Sequence, residues 1–388
     1  MEIRQRRHTM KKIGREVLFL GTSENNPRNG EGTFARLSDG RILFAYTEYY
    51  SSCGEDHGTA RIRSAFSCDE GETWSQPRIT IEMDEGAQNI MSPSLVTMKD
   101  GRVGIFYLRK EIMPDGGLTC MPCFRFSDDC GETWSEQCRC PIPDGYYCGI
   151  NDGAIVTKSG RMLWAMSYHG ERYDFNGKCT LKINHTNEMI VLYSDDGVNW
   201  GILPGRVKSP FASTAGNFAE PGVYEHEDGK LWMWMRTGMG HQYDTLSSDG
   251  GETWLSPEPN LRFPSPDSPM RVKKIGDLTA AVFNPVPYNP LRSDTELWQS
   301  PKRTPIACAL SADDGVSLNR RGVSFVNGGL KEYGKHVYLF EDDTSESYCY
   351  PAVIGTKDGF LVSYYHSAGT AACLRATKIV KILREEIN

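Results

Sequence analysis

No stretch of this chain approaches the ~18 consecutive apolar residues that a membrane-spanning helix requires, so no spanning helix is expected. The basic opening, "MEIRQRRHTMKKIG", is not followed by the apolar segment, roughly 7–15 residues long, of a secretory signal. A cytoplasmic protein is the expectation, with its 12 cysteines as thiols rather than disulfides. Low-complexity linkers and long charge runs are also missing, which argues for one domain over residues 1–388. A positive surplus is lacking too: 43 Lys and Arg against 50 Asp and Glu leave a net charge of −7. Nucleic acid is therefore not the expected partner, although a local basic pocket is compatible with an acidic surface. The histidines show no helical i, i+4 pairing. Cys120-x-x-Cys123 and Cys138-x-Cys140 depart from zinc-ribbon spacing. Neither metal nor other cofactor is expected.

What is present is repetition. The phrase Ser-x-Asp-x-Gly-x-Thr-Trp occurs at Ser67 to Trp74, Ser127 to Trp134 and Ser247 to Trp254. Degraded copies run from Tyr193 to Trp200, with Tyr in the Ser place, and from Ser311 to Leu318, with Leu in the Trp place. The closing residues lie 60, 66, 54 and 64 positions apart, the mark of one supersecondary unit repeated. Ser and Asp side chains can bond nearby backbone amides and fix a turn. Gly tolerates positive φ, and Trp buries a large ring beneath the turn. The phrase reads as a structural staple rather than a ligand contact.

A second motif fixes the count. Turns at Asp39-Gly40, Asp100-Gly101, Ser159-Gly160, Asp228-Gly229, Gly276-Asp277 and Asp358-Gly359 each precede a short apolar run. Six units of about four strands predict an all-β, six-bladed β-propeller with these Asp-box turns. The C-terminal "RATKIVKIL" is expected as the outer strand of the last blade, with "REVLFLG" near the N-terminus closing the ring against it. Segments Arg109 to Leu118, His169 to Thr186 and Tyr288 to Thr304 read as site-building loops.

The turn phrase on a six-fold strand repeat resembles the sialidase (neuraminidase) superfamily. In "NFAEPGVYEHEDGKLWMWMRTGMG" the resemblance puts Glu220 and Arg236 at that family's Glu and second Arg. "VFNPVPYNPLRSDTELWQSPKRTPIACALSADDG" puts Arg303 at the third Arg, and "SYCYPAVIGTKDGFLVSYY" puts Tyr350 at the Tyr, with Pro351 after it. In "NNPRNGEGTFARLSDG" either Arg28 or Arg36 is the first Arg. In "YYSSCGEDHGTARIRS" Asp56 is the candidate Asp, with Glu55 and His57 beside it. His169, His241, Gln242 and the pair Asn151-Asp152 are expected as further pocket groups.

The resemblance implies retaining hydrolysis of a terminal α-linked sialic acid. Three guanidiniums would hold the sugar's carboxylate. A neutral Tyr nucleophile avoids the repulsion that an attacking carboxylate would meet. Glu220 would take the phenol's proton, and Asp56 would serve as acid, then base. The nearby arginines are expected to make Tyr350 more acidic and keep Asp56 ionised unless burial opposes them. The implied partner is a small acidic glycoside. The alternatives are a same-fold enzyme for another acidic sugar, one acting by intramolecular transfer, and a non-catalytic glycan-binding propeller.

Overall fold

The computed structural model describes residues 11–170, the backbone of 173–174, and residues 187–210, 217–286, 303–319, 337–368 and 374–387. Six antiparallel sheets follow one another along the chain. Blade I is Arg28–Arg36, Ile42–Tyr49, Ala60–Ser67 and Arg78–Ile81, from innermost to outermost. Blade II is Asn89–Thr97, Val103–Ile112 and Gly117–Ser127, with Cys138–Arg139 on its outer edge. Blade III is built on Ala154–Val156, Met162–Tyr168 and Glu188–Ser194. Blade IV is Ala219–Glu225, Leu231–Arg236, His241–Ser247 and Glu258–Pro264. Blade V is Arg271–Ile275, Leu278–Phe283, Ile306–Ser311 and Val337–Glu341. Blade VI takes Glu346–Thr356, Gly359–Ala368 and Ala376–Leu383, and its outermost strand is the N-terminal Arg15–Leu20. This is a six-bladed β-propeller. Arg15 pairs with Lys381 and Leu20 with Thr377, so the two ends of the chain share one sheet. Among the described residues no helix is long and apolar enough to cross a membrane.

The second strand of each blade carries the buried apolar run, because packed blades bury both of its faces. Blades II and III join through Phe106, whose ring lies 5.6 Å from Trp164 and 5.4 Å from Trp200. The turn phrase is the staple its chemistry suggested. Ser127 Oγ donates to Asp129 Oδ1 at 2.7 Å and accepts from Gly131 N at 2.7 Å, while Asp129 also accepts from Thr133 N at 2.8 Å. The copy after Tyr193 differs from its sequence alignment. Ser194, not Tyr193, bonds Asp196 Oδ1 at 3.1 Å and Gly197 N at 2.9 Å, so this copy is contracted by one residue and retains its Ser.

Arg109 to Leu118 is not a loop. It continues both strands of a long hairpin that turns only at 113–116. His169 to Thr186 and Tyr288 to Thr304 lie almost wholly outside the described residues. The ten described cysteines are thiols, not disulfides.

Candidate active site

The innermost strands deliver the site through one repeated distortion. Pairing with the second strand slips between Gly30 and Thr33, Met91 and Ser94, Ala219 and Gly222, and Cys349 and Ala352. Within each slip one non-glycine residue has positive φ: Glu31 at 55°, Ser92 at 54°, Glu220 at 42° and Tyr350 at 53°. A bulge re-aims a side chain out of the strand's alternation, and such backbone strain collects at functional sites. All four side chains line one cavity of about 410 Å³ at the axis, a volume suited to a small ligand.

Tyr350 donates its phenol to Glu220 Oε1 at 2.5 Å. Arg236 Nη1 lies 2.7 Å from Glu220 Oε2 and 3.2 Å from the Tyr350 oxygen, bridging the pair. Arg236 Nε donates to Asp267 Oδ1 at 2.6 Å, and Arg303 Nη2 to the Asp267 carbonyl at 2.8 Å. The Arg303 guanidinium lies 5.6 Å from the Tyr350 ring centre. Burial and the Glu220 charge raise the Tyr350 phenol well above its ordinary value, against the pull of Arg236 and Arg303. The arginines therefore do not make this phenol acidic at rest, because desolvation outweighs them.

Arg28 and Arg36 sit at opposite ends of one strand. Arg36 pairs with Glu70 at 2.6 Å away from the cavity. Arg28 lies behind the cavity wall, with its Nη1 2.6 Å from Asp56 Oδ1, its Nη2 2.6 Å from Glu31 Oε1 and its Nε 2.8 Å from the Tyr365 hydroxyl. Asp56 opens onto the cavity, and although the desolvation imposed by the surrounding walls opposes its ionisation, Arg28 and Lys110 outweigh that and hold the carboxyl far below the usual range. Burial raises Glu31, with Arg28 opposing. Asp56 and His57 line the cavity and the exposed Glu55 does not. The backbone carrying them is tied to blade II by Gln88 Nε2 on the His57 carbonyl at 2.8 Å and Lys110 Nζ on the Asp56 carbonyl at 2.5 Å. His169 also lines the cavity, 2.9 Å from Ser167 Oγ.

Four expected pocket residues lie elsewhere. Asp152 is fully buried, and its carboxylate is taken up by Thr33 Oγ1 at 2.9 Å, Lys273 Nζ at 2.7 Å and Arg271 Nε at 3.2 Å. It fastens blades I, III and V to one another rather than facing a ligand. Its neighbour Asn151 donates to the Gly32 carbonyl at 2.6 Å and the Tyr350 carbonyl at 3.4 Å. Gln242 is buried with its amide on Ser265 Oγ and the Ser268 carbonyl, both at 2.8 Å. His241 is half-buried outside the cavity lining, in register with Pro264.

Glu31, Ser92, Lys110 and Asp267 were not foreseen. A signal for the first two was present: each bulge residue is followed by Gly or Pro, as in Glu31-Gly32, Ser92-Pro93, Glu220-Pro221 and Tyr350-Pro351. A wider cleft of about 600 Å³ lies among the hairpin turns of blades II to IV. There Arg161 pairs with Asp195 and Arg102 with Asp100, so its charges answer one another. Among the described residues no cluster suits a metal ion.

Fold and site together define a propeller that gathers guanidiniums, carboxylates and a phenol at its hub. The chain belongs to the BNR repeat-like domain family, whose pattern matches residues 26–363. A sialidase from Paraclostridium sordellii is 25% identical over 246 residues, which are 56% of this chain and 55% of that protein. The chain thus spans about half the length of that curated relative. A protein of unknown function from Dyadobacter fermentans is similar in structure, with a TM-score of 0.68, 18% identity, and 95% and 98% of the two chains covered. The intramolecular trans-sialidase of Ruminococcus gnavus gives a TM-score of 0.66 at 15% identity, over 96% and 97% of the chains.

Proposed function

We propose that this protein is a retaining glycoside hydrolase of the sialidase type, acting on a terminal α-linked sialic acid of small glycosides. The observation that carries this reading is the Tyr350–Glu220 contact at 2.5 Å with Arg236 reaching both. Carboxylate binding alone would need only the arginines, whereas a phenol held on a carboxylate is an activated-nucleophile arrangement. Tyr350 Oη attacks the anomeric carbon as its proton passes to Glu220. The bond to the aglycone oxygen breaks, and that oxygen takes a proton that Asp56, ionised on Arg28 at rest, has gained from solvent once the sugar is bound. Water then attacks the same carbon with Asp56 as base, and Glu220 returns the proton to the departing phenolate. Two inversions give retention. Arg236 and Arg303 hold the sugar's carboxylate, and Arg236 also steadies negative charge on Tyr350 as it develops. Turnover of a fluorogenic α-sialoside tests the reading. Tyr350→Phe is expected to lower kcat at least about 10³-fold; full activity in that variant excludes the mechanism.

A second reading, the same fold acting on another acidic sugar, is favoured by the cavity lining, in which Arg236 and Arg303 take part and Arg28 does not. A panel of acidic glycosides, ranked by kcat/KM, separates the two.

A further inference from the structure

Arg28 is sealed. Its side chain is 2% exposed, the Tyr49 ring centre lies 4.5 Å from its guanidinium carbon, and the Tyr365 ring centre lies 5.4 Å away. Its nitrogens donate to Tyr365, to the Gly54 carbonyl, to Glu31 and to Asp56. The carboxylate of Glu31 is as buried as the arginine, and it also accepts from Ser92 Oγ at 2.6 Å. The Gly54 carbonyl and Tyr365 belong to the frame of blades I and VI. Asp56 alone among these partners has a largely exposed side chain, at 60%. Arg28 accordingly does not line the cavity, while Asp56 and Glu31 in front of it do.

We propose that Asp56 stands on Arg28 in the place of a ligand's carboxylate, and that an acidic sugar reaches Arg28 only by displacing it. The inference rests on the glycosidase reading above and adds a basis for selectivity. With Arg28 beside it, Asp56 is held as the anion and has no proton to give a leaving group. A carboxylate that takes over Arg28 removes that partner and sets a negative charge nearby, so Asp56 gains a proton from solvent. Neutral sugars cannot make this exchange, so they leave the acid unarmed. The groups that bear on Asp56 are Arg28, Glu31 and Tyr49 of blade I, Lys110 of blade II, His57 of its own loop and Cys148 beside blade III. Of these, Arg28 is the one whose partner a ligand would exchange.

The test is calorimetric titration at pH 5 with 2-deoxy-2,3-didehydro-N-acetylneuraminic acid and with its methyl ester, in two buffers of different ionisation heat. Wild-type protein is expected to take up protons on binding the acid and none on binding the ester. Asp56→Asn is expected to bind the acid without proton uptake. Asp56→Ala is expected to bind the acid about tenfold more tightly than wild type, since no internal carboxylate competes. Unchanged or weaker binding by Asp56→Ala, or equal proton uptake by Asp56→Asn or with the ester, overturns the exchange while leaving the glycosidase reading standing. Failure of wild type and both variants to bind the acid overturns that reading and this inference with it.

Discussion

At the scale of single residues, the site works by pairing. Arg303 touches Cys349 Sγ at 3.2 Å and the Asp267 carbonyl at 2.8 Å through two different nitrogens. A lysine cannot reproduce that planar fork. Arg303→Lys is expected to raise KM or the Kd for an acidic sugar about 10- to 100-fold, the value of a hydrogen bond to a charged group. The two cavity histidines give a pH signature. Burial lowers His169 to about 4, and burial together with Lys110 lowers His57 to about 4. Their unfolded values lie near 6.5, so between pH 6.5 and 4 the unfolded chain binds more protons and stability falls with pH. Below about pH 4 both states are protonated and this loss levels off. His169→Gln is expected to flatten the fall by up to ~3 kcal/mol, read as the melting temperature across pH 4–7.

At the scale of strands and turns, the staple and the bulge divide stability from chemistry. Gly71 has φ of 85°, and a Cβ there would lie 2.5 Å from Leu361 Cδ1 of blade VI. Gly71→Ala is expected to cost about 1–3 kcal/mol through overpacking and backbone strain. Denaturant unfolding should show that loss while kcat is unchanged, because the turn phrase does not line the cavity. Sequence and structure agree best here. Turn chemistry is local, so Ser127, Asp129 and Gly131 announce their own hydrogen bonds, and the six glycine-bearing hairpin turns count the blades. The contraction at Ser194 shows the limit, since an alignment by spacing alone misplaced the serine. The bulges are local too, but their Gly and Pro signature is short and common. Asp267 and Lys110 were out of reach for another reason. Each enters the site through a partner distant in sequence: Arg236 and Arg303 for Asp267, the Asp56 loop for Lys110. Asp152 failed in the opposite sense. It is expected as a pocket group, but Thr33, Arg271 and Lys273, which take up its carboxylate, arrive only through the ring's closure.

At the scale of the whole molecule, one buried carboxylate answers two cations at the axis. Asp152→Asn would leave Arg271, which is fully buried, and Lys273 without their counter-charge. Removing one partner of a buried ion cluster costs about 3–5 kcal/mol, and chemical denaturation should show the midpoint falling accordingly. The ring's seam is the other global element. Removing residues 11–20 would expose the edge of Ala376–Leu383, now paired from Thr377 to Lys381. An open edge invites pairing between chains, so that truncation is expected to elute as larger species on gel filtration.

The seam has one more consequence. Because Arg15 and Lys381 are neighbours across a single pair of strands, a short peptide spliced between the ends near them would give a circular backbone. Opening that circle at the exposed Asp144 would produce a permuted chain whose new sequence starts in blade III. The phenol would then precede Arg28 in chain order instead of following it. Such a permutant is expected to keep the same hub, because the chemistry depends on where the blades stand around the axis and not on the order in which they are synthesised.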